Sequence, residues 1–258
     1  METKRTNKKM LLSLAALLLL SVMIIPSKIY ATETNTKQDS VEMAIEQGSG
    51  DMTIEEGAEP FVPSDEDLKI EAEKMSELNA FLAKPTTRAS TSTWKNINIP
   101  VYKQTTGSYC APATVKEVVQ YHKGSSSAQD TYAKLLGTTS NGTDMTRVAP
   151  VLKSKTGKKY VMAEIKSKSL WIDRVRINMG QTKMAVVLDI KASTSNWKYS
   201  TKGHFLAISG AKTNGTNAGT THVRLSDPHP KMNGSRYTET VNRAYAVNKA
   251  HSRHSLIW

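Results

Sequence analysis

Cysteine is almost absent from this chain: its 258 residues include one, Cys110. An internal disulfide is thereby excluded, and the thiol is a buried inert group, an intermolecular link or a reactive one. Long apolar runs are missing too. A membrane-spanning helix needs ~20 apolar residues, and the one extended stretch, Met10 to Ile25, stops short at Pro26 and Lys28. There is no internal repeat, no phosphate-binding glycine loop and no recognised nucleic-acid motif, so no specific nucleic-acid partner is expected. His251 and His254 are spaced as metal ligands could be, but no cysteine or acid cluster accompanies them, so neither a metal nor another cofactor is expected. Acids are scarce beyond Arg88, with 8 aspartates and glutamates against 25 lysines and arginines.

What is present divides the chain in three. Lys4, Arg5, Lys8 and Lys9 precede the apolar stretch, and Ile29-Tyr30-Ala31 offers a small-residue exit, so residues 1–31 read as a signal peptide cut after Ala31 and the product as secreted, a retained anchor being the alternative. Residues 32–93 read as an acidic pro-region, with 14 acids against 5 bases between Thr32 and Arg88. Residues 94–258 form the basic body. Charges so opposed suggest that the acidic part sits on the body as an intramolecular inhibitor until it is removed.

Within the pro-region, residues 32–62 have too few apolar side chains to offset the entropy of ordering. Ser64 with Asp67 three residues on predicts a capped helix running to Ala83, with Leu68, Ala72, Met75, Leu78 and Leu82 as its apolar stripe. Pro85 to Thr93 reads as an exposed linker in which Arg88 is the expected processing point.

In the body, the pattern predicts a strand at 97–102 and helices at 111–122, 128–136 and 145–155. Strands follow at 184–190, 205–209 and 222–225. Helices first and strands later indicate an α+β fold, a helical part packed on an antiparallel sheet. Trp94, Trp171, Trp197 and Trp258 read as core or cleft-wall residues.

Cys110 opens a helix, followed closely by Pro112, which the first turn tolerates because its missing N–H would be unpaired anyway. There the helix dipole favours a thiolate, although a small buried hydrophobe would fit as well. His122 lies twelve residues along the same helix, ~18 Å away, which excludes it as the proton partner. His251 and His254 fall in a polar tail, H-S-R-H, without visible support. His204 leads the apolar run G-H-F-L-A-I-S-G, and the next strand ends at Asp227. If their hairpin is symmetrical about the bond between Gly215 and Thr216, His204 faces Asp227 directly, with Cβ atoms ~4.5–5.5 Å apart. A lone strand histidine beside a turn aspartate is the alternative. Gln104, six residues before the cysteine, could offer its amide to an oxyanion formed beside the backbone N–H of the nucleophile.

The order Gln104, Cys110, His204, Asp227 resembles the papain-like cysteine peptidases, and within them the bacteriocin-leader-peptidase-like branch. The marks are I-P-V-Y-K-Q, Y-C-A-P-A-T, M-A-V-V-L-D, G-H-F-L-A-I-S-G and L-S-D-P, from Ile97 to Pro228. The resemblance implies Cys110 as nucleophile, His204 as general base and acid, Asp227 as its orienter and Gln104 in the oxyanion hole. Ala111 stands where the family often has glycine, and Tyr109 where transporter-linked members carry an acid, which points to a free-standing secreted peptidase. A peptide or protein is then the substrate. Two other readings keep the same residues: an endopeptidase or amidase acting on peptidoglycan, held by anionic cell wall, and a non-catalytic basic wall-binding protein. The N-G-[S/T] triplets at Asn141, Asn214 and Asn233 read equally as turns or as glycan acceptors.

Overall fold

The computed structural model describes residues 61–85 and 91–258, all within one compact unit, Ile45–Trp258. The segment ending at Ala31, residues 32–60 and the Arg88 processing point lie outside the described residues.

Helix α1 (Asp65–Ala83) starts where the capping pattern requires: the Ser64 hydroxyl accepts from the Asp67 N–H at 3.1 Å and donates to the Asp67 carboxylate at 2.8 Å. Its docked face differs from the predicted stripe. Leu68 is 54% exposed and Leu82 40%, whereas Ile70, Lys74 and Leu78 are buried, with Glu71, Met75 and Phe81 half-buried beside them. The helix is rotated because its partner surface offers ion pairs and an indole. Glu71 accepts from Arg174 at 2.6 Å and from the Trp258 indole N–H at 2.9 Å. Lys74 lies over the Trp258 ring at 4.4 Å. Asp67 pairs with Lys153 at 2.8 Å and Glu73 with Lys159 at 2.7 Å.

The body is built on a seven-stranded antiparallel sheet. Its strands are β1 (Thr93–Asn96), β2 (Met162–Glu164), β3 (Val186–Asp189), β4 (Phe205–Thr213), β5 (His222–Asp227), β6 (Ser235–Thr240) and β7 (Ser255–Ile257). The order is β2-β7-β3-β4-β5-β6, with β1 also paired to β4. Every residue from Val186 to Asp189 and from Phe205 to Ala211 is buried, so both faces of the centre are covered, as an unbroken apolar run demands. The helices are α2 (Cys110–Lys123), α3 (Gln129–Leu136), α4 (Val148–Thr156), α5 (Lys168–Ile177) and α6 (Val241–Ala250). Helix α2 packs on β4, where the Thr114 hydroxyl donates to the Phe205 carbonyl at 3.2 Å.

Several expectations shift. The strand predicted at 97–102 is irregular chain, and pairing occurs just before it, at β1. Ile97 and Ile99 are nonetheless buried, which explains the misleading pattern. The polar-looking tail is core: β7 is inserted between β2 and β3, and His251 is buried with Nδ1 3.1 Å from Asp189. Trp171, Trp197 and Trp258 are buried, but Trp94 is 37% exposed. Among the described residues no helix is long and apolar enough to cross a membrane.

The scarce acids of the body are mostly interior. Glu117, Asp144, Asp173, Asp189, Asp227 and Glu239 are buried, leaving Asp130 and Glu164 as its only exposed carboxylates among the described residues.

Candidate active site

Three segments converge. Helix α2 presents Cys110 in its first turn, with no side chain capping that end and Pro112 supplying no N–H. The loop entering β4 supplies His204, and the last residue of β5 is Asp227. All three are fully buried. His204 Nε2 is 2.8 Å from Asp227 Oδ1, and the Cys110 thiol is in hydrogen-bonding contact with the imidazole. With Nε2 taken by the carboxylate, Nδ1 is the nitrogen left for sulfur.

The predicted pair meets by a different register. Ile208 pairs with Leu225 and Ala207 with Ser226, and the ladder shifts between Ile208 and Gly210. Continued outward, that register sets His204 opposite His229, with Asp227 two residues back on the same face. The contact is therefore diagonal rather than direct, within reach for side chains of this length. The cause lies first in the turn, which is centred on Asn217 rather than on the Gly215–Thr216 bond, since Lys212 pairs with His222. The irregularity near Ser209 then shifts the ladder by one residue and returns His204 and Asp227 to the same face.

Electrostatics follow from burial. Dehydration pulls the imidazolium of His204 down, but the charge and hydrogen bond of Asp227, joined by Cys110, raise it to about 10. Burial pushes the Asp227 carboxyl up, and His204, the Tyr199 hydroxyl and the His229 backbone N–H outweigh it, holding the group below the usual carboxylate range. Seven residues along α2, Glu117 behaves oppositely. Its burial, with the charge of Asp227 nearby, holds it well above that range, as a neutral acid accepting from the Tyr102 N–H at 2.8 Å.

Gln104 is buried beside the site, and its N–H donates to the Pro228 carbonyl at 2.9 Å. Both hydrogens of its amide are engaged, Nε2 donating to the Thr106 and Gly107 carbonyls at 2.8 Å each. The loop is stitched by Gln104, and its amide aims no spare hydrogen at the sulfur. Below it, Gly234 (φ 61°) lies so close to the backbone of Tyr102 and Lys103 that an added Cβ would sit 2.4 Å from the Lys103 nitrogen.

His122, excluded by distance, instead lies 3.0 Å from the Tyr160 hydroxyl, and burial, with Lys158 nearby, lowers it to about 4. Tyr199, Tyr237 and His229, which surround Asp227, went unread in the sequence. The alternation S-R-Y-T-E-T could have flagged Tyr237: it marks β6, in which Tyr237 pairs with Leu225, two residues from Asp227. No group of three or more metal-ligating side chains is assembled among the described residues.

A cysteine-bearing helix packed on an antiparallel sheet whose adjoining strands bring histidine and aspartate together defines a papain-like cysteine peptidase. The sequence pattern of the Peptidase_C39-like family matches residues 96–252, and the chain belongs to that family. Solved structures similar in shape include the peptidase domain of Streptococcus ComA, a bifunctional ABC transporter involved in a quorum-sensing pathway. It is 15% identical with a TM-score of 0.43, over 62% of this chain and 97% of that one. A double-glycine-motif protease from an AMS/PCAT transporter, in complex with the leader peptide, is 12% identical with a TM-score of 0.42, over 63% and 91%. A C39-like peptidase from Bacillus anthracis is 14% identical with a TM-score of 0.42, over 64% and 96%. No curated protein matches the chain.

Proposed function

We propose that this chain is a secreted cysteine endopeptidase made as a zymogen. One observation carries the reading: the His204 ring spans the Asp227 carboxylate, at 2.8 Å, and the Cys110 thiol. The thiolate attacks the scissile carbonyl carbon, forming a carbon–sulfur bond and an oxyanion, beside which lies the backbone N–H of Cys110. His204 protonates the leaving amine, the carbon–nitrogen bond breaks, and an acyl-enzyme remains. Water then attacks, giving its proton to His204, and the thiolate departs. Asp227 keeps the imidazole in the required tautomer throughout. Gln104 joins the oxyanion hole only by exchanging a loop carbonyl for the oxyanion.

The test uses the processed domain with and without C110A on peptide and cell-wall substrates. Activity that survives the substitution would sink the mechanism. If Cys110 alkylates slowly and wall binding is unaffected, the protein is instead a non-catalytic binder.

Secretion after cleavage at Ala31 and processing at Arg88 are part of the same reading, and the N-termini of the exported forms test both. In the zymogen, α1 is the anchor of the acidic pro-region. Its contacts, with that of Lys84 just beyond it, lie on α4, Lys159, α5, residues 180–181 and Trp258 rather than on Cys110, His204 or Asp227. Peptide 61–85 is accordingly expected to bind the mature domain without inhibiting it, and peptide 32–88 to inhibit.

A second reading moves the same chemistry to peptidoglycan cross-bridges. It is favoured by a body with 25 basic residues and only two exposed acids, which suits an anionic wall. Zymograms on bacterial cell walls against casein separate the two.

A further inference from the structure

Asp227 is held by more than its histidine. Oδ1 accepts from His204 Nε2 at 2.8 Å and from the His229 backbone N–H at 2.9 Å. Oδ2 accepts from two phenols, Tyr199 and Tyr237, each at 2.7 Å. A carboxylate has about four acceptor sites, and all are filled by donors. We propose that Tyr199 and Tyr237 are positioning residues that keep Asp227 an anion and aim its Oδ1 at His204. The inference rests on the peptidase reading given above.

The physical argument begins with cost. An ionised carboxylate buried this completely is expensive unless it is paired and hydrogen-bonded. Its one cationic contact is the imidazolium, which must surrender a proton in every turnover. At that moment the phenols remain, and hydrogen bonds to a charged acceptor are the stronger kind. Protonating Asp227 would also require one hydroxyl to turn its hydrogen away, because the acid needs an acceptor where a donor now points.

The rings are placed to do this. Tyr199 lies against His204 edge-on at 5.5 Å and stacks flat on His229 at 3.7 Å. Tyr237 comes from β6, with Lys198 4.8 Å from its ring and Glu239 among the charges around it. From α2, Glu117 feels the charge of Asp227, and Arg236 of β6, which pairs with Ser226, acts on Glu117 in turn. Burial and the neighbouring Asp227 charge keep both phenols protonated, and so donating.

Replacement of either tyrosine by phenylalanine removes the hydroxyl while leaving ring volume and ring contacts in place. The measurement is thiolate formation at Cys110 against pH, read by ultraviolet difference between each form and its own C110A counterpart, with thermal unfolding as the check on folding. Losing a donor to a buried anion raises its proton affinity, so the acid limb of the profile should move up by about one pH unit in Y199F or Y237F, and further in the double variant. Tyr237 is half-buried, so Y237F carries the test if Y199F does not fold. Folded variants whose acid limb stays within about 0.2 pH unit of wild type overturn the proposal. If wild-type Cys110 itself titrates as an ordinary thiol, the peptidase reading fails instead.

Discussion

The α1 seam and the Asp227 pocket both hold opposite charges together, by opposite means. Along the seam the pairs are graded in exposure, from Glu73 with Lys159, well exposed, to Glu71 with the nearly buried Arg174. In the pocket a fully buried carboxylate meets a fully buried imidazole and is completed by neutral donors. Most charges in the seam keep some of their water and can be separated, the Glu71–Arg174 pair being its buried end. Those in the pocket have exchanged water for phenols and a backbone N–H, so parting them would leave an unpaired buried ion. The seam is suited to release and the pocket to permanence.

That contrast can be broken most forcefully from the pocket side. D227N removes the charge that stabilises the imidazolium and puts an amide NH2 in place of one oxygen, where either the two phenols or His204 and the His229 N–H now donate. It should lower kcat by about 10²–10⁴-fold in peptide hydrolysis, with α1 still docked. In the seam, E71A strands Arg174 and the Trp258 N–H, and should cost about 3 kcal/mol in the unfolding free energy of the unprocessed chain. K159A, which removes an exposed partner, should cost less than about 0.5 kcal/mol. A K159A loss as large as that of E71A would contradict the grading.

Salt and pH sharpen the difference further. At 1 M salt the screening length is about 3 Å, so peptide 61–85 should bind the mature domain more weakly, while the thiolate titration at Cys110 should not move. On pH, burial lowers Lys74 to about 8 from an ordinary 10.5. The docked lysine is the weaker base, so docking releases a proton between those values. Affinity should rise as pH climbs from about 8 toward 10.5 and be flat just below 8. It should fall again in acid, because contact with Lys153 and Lys159 holds Asp67 and Glu73 below their usual range, and protonation removes that gain. Fluorescence titration of labelled peptide across pH checks both limbs.

Features legible in the sequence were those written in local chemistry. The Ser64 cap, the cysteine at a helix start before Pro112, and the long apolar run of β4 each depend on neighbours along the chain. The pairing of His204 with Asp227 was anticipated for an incomplete reason: the hairpin turns about Asn217 rather than at Asn214-Gly215. The side-chain parity is correct only because the irregularity near Ser209, which leaves no clear mark in G-H-F-L-A-I-S-G, shifts the ladder by one. Tyr199 and His229 could not be found this way, since only tertiary packing brings them to Asp227. The docked face of α1 was read only in part, with Leu78 and Met75 on it but Leu68 and Leu82 off it, because counting apolar residues gives no weight to a lysine lying on an indole. The buried His251 was missed because H-S-R-H looks solvated until β7 is inserted into the sheet.

The near absence of carboxylates from the outside of the body has a consequence in mild acid. Between neutrality and pH 4 such an exterior has few side chains to titrate, apart from its outlying histidines, so its attraction for a polyanion should change little on its own account. Any pH dependence of adhesion over that interval would then report the titration of the polymer being gripped, and would serve as a signature of its acid groups.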